Sequence, residues 1–104
     1  MKKHQKAVDD FVQGFDEPYW PVLSQFARLV EEVGEVGRLL NHVYGSKPKK
    51  TGESKQELGE ELADVLFTII CLANTHSIDL DTEIEKVINK SKNRDKDRFT
   101  KKKK

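Results

Sequence analysis

The sequence has little cysteine and no long uninterrupted apolar stretch. A single cysteine in 104 residues excludes an internal disulfide framework. The longest apolar run, Leu62 to Ala73, is broken by Asp64, and it is shorter than the roughly 20 residues of a membrane span. Met1 is followed by five polar or basic residues rather than by an apolar stretch, so no secretory signal is predicted. These absences predict a cytoplasmic protein that does not associate with a membrane.

Two further patterns are missing. The sequence lacks the alternation of apolar and polar residues that predicts strands, and the helical spacing described below is the pattern that it shows instead. The chain also has no glycine-rich loop of the kind that cradles phosphates, which excludes P-loop chemistry. The asymmetric distribution of charge is more informative than these absences.

The net charge of +1 conceals an acidic body and a basic end. Residues 90–104 contain nine basic and two acidic side chains, whereas the other 89 residues contain 10 basic and 16 acidic ones. We expect one domain over residues 1–98 and a basic, disordered tail over residues 99–104. This distribution predicts a site for cations in one place and a site for anions in another.

The spacing of apolar residues predicts four helices and an all-α, four-helix bundle. The first helix is predicted over about Lys3 to Phe15 and the second over about Val22 to Tyr44, with Gly45 as its C′ residue. Ser54 to Glu57 fits a capping box for a third helix that ends near Thr75. The fourth helix begins near Leu80 and extends into the region of Lys90. Asp79 to Glu83 alternates acids as a calcium loop does, but Ile84 replaces the required glycine, so helix capping is predicted there.

Two groups of carboxylates lie within the predicted second and third helices. Glu31, Glu32 and Glu35 belong to the second helix, and Glu61 and Asp64 to the third. Residues three positions apart are neighbours on a helix surface, so Glu32 lies beside Glu35 and Glu61 beside Asp64. Such pairs are usually part of a solvated face.

The third helix argues against that common interpretation. It is apolar on almost every side from Leu62 onward, which predicts a central, buried helix whose two carboxylates have no side facing water. Buried carboxylates repel one another unless something compensates, and neither acidic strip offers a basic residue on its own side. A divalent metal is the simplest compensator, and a shell of carboxylates favours Mg²⁺, with Mn²⁺ as the alternative. A di-iron centre would need Glu-x-x-His on two helices, and this pattern is missing.

The order of these motifs resembles the MazG-like nucleoside triphosphate pyrophosphohydrolases. Glu-Glu-x-x-Glu is followed on the next helix by Glu-x-x-Asp and then by Lys90-x-x-x-Arg94, and the resemblance covers about Trp20 to Arg98. Ala63 replaces a glycine common in the family, and the 25 residues between Glu35 and Glu61 are toward the long end.

The resemblance implies a small single-domain enzyme that cuts nucleoside triphosphates between the α and β phosphates. It implies that Glu32, Glu35, Glu61 and Asp64 bind Mg²⁺. Glu31 would support a second metal or position the attacking water, and Lys90 and Arg94 would hold the triphosphate. The substrates implied are deoxynucleotides or non-canonical nucleotides, removed to clean the nucleotide pool.

Three alternatives stay open from the residues alone. Trp20, with Phe15 and Tyr19, either stacks on a base or packs the connection between two helices. The apolar third helix predicts a homodimer, or a dimer of dimers, that covers its remaining face. A non-catalytic helical module that binds protein or nucleic acid is the rival function. We expect no nucleic-acid partner, because the lysine tail has no interleaved aromatic residues.

Overall fold

The computed structural model describes residues 1–45 and 55–95. Four helices make up this part of the chain: α1 (Lys2–Val12), α2 (Val22–Tyr44), α3 (Lys55–Thr75) and α4 (Leu80–Asp95). The predicted all-α, four-helix class is confirmed. The predicted capping residue Ser54, the lysine-rich loop and the basic tail lie outside the described residues.

The predicted end of α1 and the predicted role of Gly45 need correction. α1 stops at Val12 rather than Phe15, because the amides of Gly14 and Phe15 bond to the carbonyls three residues earlier, Phe11 and Val12, in tight turns that end the helix. Gly45 follows α2 with an extended backbone (φ −79°, ψ −179°) and not in a left-handed conformation. Its amide still bonds to the carbonyl of Asn41 at 2.8 Å. A Cβ at position 45 would collide with the backbone and side chain of Asn41, which is the reason for glycine there.

α2 and α3 run antiparallel, since Gln25 near the start of α2 bonds to Thr75 at the end of α3. α1 packs against the second half of α3 through a small apolar core of Val8, Val12 and Ile70. Leu39 and Ala73 are also buried. These contacts place the first half of α3, with its carboxylates, beside the middle of α2.

The start of α1 is tied to the α3–α4 connection by a group of paired polar side chains that we call the polar corner: Gln5, Tyr19, Asn74 and Asp81. Asn74 donates to the carbonyl of Gln5 (2.9 Å) and to the hydroxyl of Tyr19 (3.1 Å), which in turn donates to Asp9 (2.7 Å). Burial and the Asp9 carboxylate raise the pKa of Tyr19 to about 12. Asp81 accepts hydrogen bonds from the Met1 amino group (2.9 Å) and the Lys2 amide (3.0 Å), which lower its pKa.

Asp79 caps α4, as predicted. Its carboxylate accepts hydrogen bonds from the Asp81 amide at 3.0 Å and the Thr82 hydroxyl at 3.1 Å. α4 itself has exposed apolar residues on its surface: Ile84, Val87 and Ile88.

Within the described residues, no single helix is long and apolar enough to cross a membrane. Taken together, α3 and α4 have the length and apolar composition of one broken membrane span, but the two helices are bent by 110° relative to each other.

Candidate active site

Three carboxylates converge where α2 faces the first half of α3. Glu32, Glu61 and Asp64 each contribute an oxygen, and these oxygens lie within 4.8 Å of one another. The side chain of Glu32 is only 12% exposed, Glu61 is half-buried and Asp64 is exposed. The structure therefore brings together three of the four carboxylates implied as metal ligands, and we call these three the carboxylate cluster.

Electrostatics at the cluster oppose the charged form of Glu61. Partial burial raises the pKa of Glu61 above its ordinary value, and the charges of Asp64, Glu35 and Glu32 raise it further. Arg38 acts in the opposite direction and lowers the pKa. Repulsion of this kind is relieved by a proton or by a cation.

The expectation that no basic residue lies beside the acidic strips is wrong. Arg28 Nε lies 3.3 Å from Glu32, and Arg38 Nε lies 3.6 Å from Glu35. Both pairs follow from helical spacing, four and three residues apart, so the sequence contains the signal. Glu61 and Asp64, on α3, are the members of the cluster for which repulsion is least compensated.

The expectation of a fully buried α3 is also wrong for the single chain. Asp64 is exposed, and Leu62 and Leu66 on the same helix are exposed as well. α1 covers only the second half of α3, because its core residues meet α3 at Ile70. An apolar helix face thus predicts that the face is shielded from water, but it does not specify whether the same chain or another one packs on it.

An aromatic cavity of about 660 Å³ opens beside the cluster. Glu32, Asp64 and Arg28 form part of its wall. The rest is largely apolar or aromatic: Phe11, Val12, Phe15, Pro18, Tyr19, Trp20 and Phe67, with Glu17, Gln25, Thr68 and Cys71 as the other polar members. Trp20 is 54% exposed, which leaves much of its ring accessible.

The packing interpretation of the aromatic segment holds for Tyr19, and stacking of Trp20 on a base stays a prediction. Tyr19 packs the connection through its bonds to Asp9 and Asn74. Phe15 meets Phe11 edge to face, with 5.2 Å between ring centroids, and both are exposed. Trp20 lies at the cavity wall with an accessible ring.

Other predicted site residues lie apart from the cluster. Glu31 is exposed on α2, and Glu35 pairs with Arg38. Lys90 and Arg94 are exposed on α4, where Arg94 bonds to Asp95 through Nε and Nη2 at 3.1 and 3.0 Å. Among the residues that the structure describes, the wall of the cavity includes none from α4.

Two polar residues that α2 contributes to the cavity wall, Gln25 and Arg28, were not predicted from the sequence. Both lie on the same face of α2 as Glu32, since they precede it by seven and four residues. That spacing was visible in the sequence, but nothing in it indicated that the aromatic connection folds over this face.

Comparison with known proteins supports an enzymatic site. The profile of the MazG nucleotide pyrophosphohydrolase domain matches residues 22–99. The chain is 46% identical to the uncharacterised protein YpjD of Bacillus subtilis over 102 residues, which span 98% of this chain and 92% of YpjD.

Two solved structures are similar in fold as well as in sequence. The candidate pyrophosphatase YPJD from Bacillus subtilis superimposes with a TM-score of 0.80 at 44% identity, covering 86% of this chain and 91% of the other. A Bacillus-conserved MazG protein, described as a nucleotide pyrophosphohydrolase, gives a TM-score of 0.78 at 45% identity, covering 93% and 94%.

Proposed function

Because the chain belongs to the MazG nucleotide pyrophosphohydrolase family, and is therefore an enzyme, we propose that it cleaves nucleoside triphosphates between the α and β phosphates. The products are a nucleoside monophosphate and pyrophosphate, and the proposed role is removal of deoxynucleotides or non-canonical nucleotides from the nucleotide pool. The observation that carries the proposal is the carboxylate cluster in the wall of an aromatic cavity. This arrangement has a place for phosphates beside a place for a base.

The cluster fits a hard divalent cation. It offers oxygen donors only, which Mg²⁺ and Mn²⁺ prefer over nitrogen or sulfur. Partial burial and then repulsion from the neighbouring carboxylates raise the pKa of Glu61, and a cation would relieve the repulsion. We propose that Glu32, Glu61 and Asp64 hold Mg²⁺. When bound, the ion supplies charge for the triphosphate and lowers the pKa of a water.

Glu35 and Glu31 have supporting roles in this proposal. Glu35 is close enough to Glu61 to raise its pKa, and it becomes a fourth ligand if it exchanges Arg38 for the metal. Glu31 lies next to Glu32 in sequence and is exposed, so it is free to accept a proton from an attacking water or to bind a second ion. Together with the cluster, these residues make up the catalytic set.

Lys90 and Arg94 are proposed to bind the triphosphate oxygens. They lie one helical turn apart on α4, so both face one anion. A bidentate guanidinium suits phosphate as well as it suits the Asp95 carboxylate that it now contacts. Because no described residue of α4 lines the cavity, this part of the proposal depends on how the chain assembles.

We further propose that the enzyme is a homodimer, or a dimer of dimers. The exposed apolar residues of α3 and α4, Leu62, Leu66, Ile84, Val87 and Ile88, are more than a monomer usually leaves in water. A second copy would cover them by two-fold symmetry. Sedimentation equilibrium tests this directly, and a monomer at micromolar concentration would contradict it.

The base is proposed to enter the aromatic cavity and stack on Trp20. An indole face that is largely exposed at a cavity wall is available to a planar base, and stacking of this type is worth about 1–3 kcal/mol per base. Trp20→Leu keeps an apolar side chain but loses the stacking surface, so KM is expected to rise for every nucleotide.

Phosphorus NMR of a nucleotide panel incubated with the protein and Mg²⁺ tests the reaction. The expected result is pyrophosphate and monophosphate in equal amounts, with Mn²⁺ able to replace Mg²⁺. Release of orthophosphate would indicate a different bond and overturn the proposed cleavage. No turnover of any nucleotide with either ion would overturn the function itself.

A further inference from the structure

One polar side chain in the cavity wall has no role in the chemistry above. Gln25 lines the cavity but is only 4% exposed, although glutamine is mostly found at the surface. It precedes Glu32 by seven residues on α2, which corresponds to about 10 Å along the helix axis. That separation is comparable with the length of a nucleotide from its phosphates to the far edge of its base.

The orientation of the Gln25 amide is determined by its partners. Nε2 donates to the Trp20 carbonyl at 2.8 Å and to the Thr75 hydroxyl at 2.9 Å. The Thr75 hydroxyl itself donates a hydrogen bond to the Cys71 carbonyl at 2.8 Å. If the amide oxygen and nitrogen of Gln25 were exchanged, Oε1 would face the Trp20 carbonyl and the Thr75 hydroxyl oxygen. Both are acceptors, so that orientation is repulsive.

The amide oxygen is left over. Gln25 Oε1 is buried, and no described residue donates a hydrogen bond to it. Native structures rarely leave a buried acceptor unpaired, so such a group calls for an explanation. An unpaired acceptor beside a cavity suited to a base is explained by a donor on the ligand.

Neighbouring hydroxyls in the wall cannot substitute for that donor. Thr68 donates to the Asp64 carbonyl at 3.0 Å, and Tyr19 donates to Asp9. Arg28, the charged donor in the wall, pairs with Glu32. Because both hydroxyl protons are engaged elsewhere, an N–H group of the base would supply the donor that Gln25 Oε1 lacks.

We propose that Gln25 Oε1 accepts a hydrogen bond from the amino group at C4 of a pyrimidine or C6 of a purine, so that the enzyme selects nucleotides of cytosine or adenine type over bases with a carbonyl or a hydrogen at that position. The inference rests on the proposed function, because it takes the cavity as the base site. Oε1 is covered in the single chain, and entry of the base would have to uncover it. Gln25 thereby acts as a specificity-determining residue.

The test compares nucleotides that differ by one amino group. Deoxycytidine is paired with the 2-pyrimidinone deoxynucleoside, and deoxyadenosine with the purine deoxynucleoside, because each second member has hydrogen where the first has an amine. Their α,β-imido triphosphates resist the proposed cleavage, so calorimetry with Mg²⁺ gives their Kd values. The wild type is expected to bind the amino member of at least one pair about 10-fold more tightly.

Two variants separate base selection from support of the wall. Gln25→Met keeps the length of the side chain without its amide, and the 10-fold ratio should fall to about one. Thr75→Val removes one anchor of Nε2 and leaves Oε1 in place, so the ratio should persist even if every Kd rises. Melting curves establish that both variants fold, and the wild-type ratio needs no variant at all.

The outcomes distinguish this inference from the proposed function. Equal Kd values within both pairs for the wild type, or a ratio that survives Gln25→Met, overturn the role of Gln25 while leaving pyrophosphate release untouched. Discrimination without cleavage of the natural triphosphates supports Gln25 and overturns the proposed reaction. Binding of none of the analogues overturns both.

Discussion

The carboxylate cluster and the polar corner are both assemblies of polar side chains on a small helical protein, but they differ in how their charges and hydrogen bonds are balanced. In the polar corner, Asn74, Tyr19 and Asp81 all have partners at 2.7–3.1 Å. The hydrogen bonds from the Met1 amino group and the Lys2 amide lower the pKa of Asp81, because they favour its charged form. In the cluster, partial burial and the neighbouring carboxylates raise the pKa of Glu61, because both oppose its charged form.

This difference indicates that the polar corner stabilises the fold, whereas the carboxylate cluster is suited to binding a ligand. A satisfied network contributes to stability and joins α1 to the α3–α4 connection, residues far apart in sequence. An unsatisfied cluster costs stability and is retained only where function needs it. The five predictions below test this contrast.

The largest expected effect is on catalysis. Glu61→Gln and Asp64→Asn should each lower the rate of pyrophosphate release at least about 100-fold, since loss of a proposed ligand costs more than loss of an outer contact. Both variants should still fold, because they remove repulsion rather than support. The rate is measured by a coupled pyrophosphate assay, and folding by circular dichroism. Glu60→Gln makes the same chemical change next to Glu61 on an exposed side chain and should retain activity.

Breaking the polar corner should have the opposite signature. Asn74→Leu removes one hydrogen bond each from the Tyr19 hydroxyl, the Gln5 side-chain amide and the Gln5 carbonyl, so we expect a loss of about 2 kcal/mol in the free energy of unfolding. Urea denaturation measures this loss. Asn89→Leu, at an exposed position of α4, should stay within about 0.5 kcal/mol of the wild type. A larger loss for Asn89→Leu than for Asn74→Leu would contradict the assignment of the corner.

The pH dependence of the metal-free protein should reveal the strain at Glu61. Since the folded state raises the pKa of Glu61 above the ordinary 4.5, the proton is bound more tightly in the folded state than in the unfolded one. This contribution to stability is complete below pH 4.5 and is lost as the pH rises through the folded pKa. Glu61→Gln should therefore gain stability over the wild type on going from pH 4 to pH 8 in EDTA.

Adding Mg²⁺ should reverse that order at pH 8. An ion that binds only the folded wild type raises its stability by about 2.7 kcal/mol at 100 times its Kd, while Glu61→Gln should respond weakly. Thermal melts with and without Mg²⁺ give both comparisons. If the Tm of the wild type did not change with the Mg²⁺ concentration, the result would contradict the metal site.

The smallest effect is expected at the arginines beside the cluster. Arg38→Gln breaks an exposed pair with Glu35, so the free energy of unfolding should change by less than about 0.5 kcal/mol. Arg28→Gln should cost more, because its partner Glu32 is only 12% exposed. Chemical denaturation of the two variants side by side makes the comparison. Equal losses would indicate that the burial of Glu32 has no energetic consequence.

Local sequence patterns were sufficient for the helices and for the choice of acids. α2 has the predicted ends, Val22 and Tyr44, because Pro21 and Gly45 bracket a continuous apolar periodicity. Glu32, Glu61 and Asp64 were identified by their spacing and do converge. The Asp79 cap was predicted from residues within four positions of one another. These are short-range features, and the forces behind them act within one or two helical turns.

Long-range arrangement was predicted less well. The apolar surface of α3 indicated burial, yet Asp64 and Leu62 are exposed in the single chain. A helical wheel shows which residues share a face, but not which neighbour packs on it or how far along the helix. For the same reason the position of Lys90 and Arg94 relative to the cluster stays a prediction.

Helix formation, the acidic set and the family were thus already contained in the order of the amino acids, since periodicity, capping and motif spacing are local properties. Tertiary structure alone decided that the aromatic connection folds over α2 and encloses a cavity beside Glu32. It also decided that Gln25 lies in the wall of that cavity with its amide directed by Trp20 and Thr75. The physical reason is that Gln25 and Thr75 lie 50 residues apart, and only antiparallel packing of α2 on α3 brings them into contact.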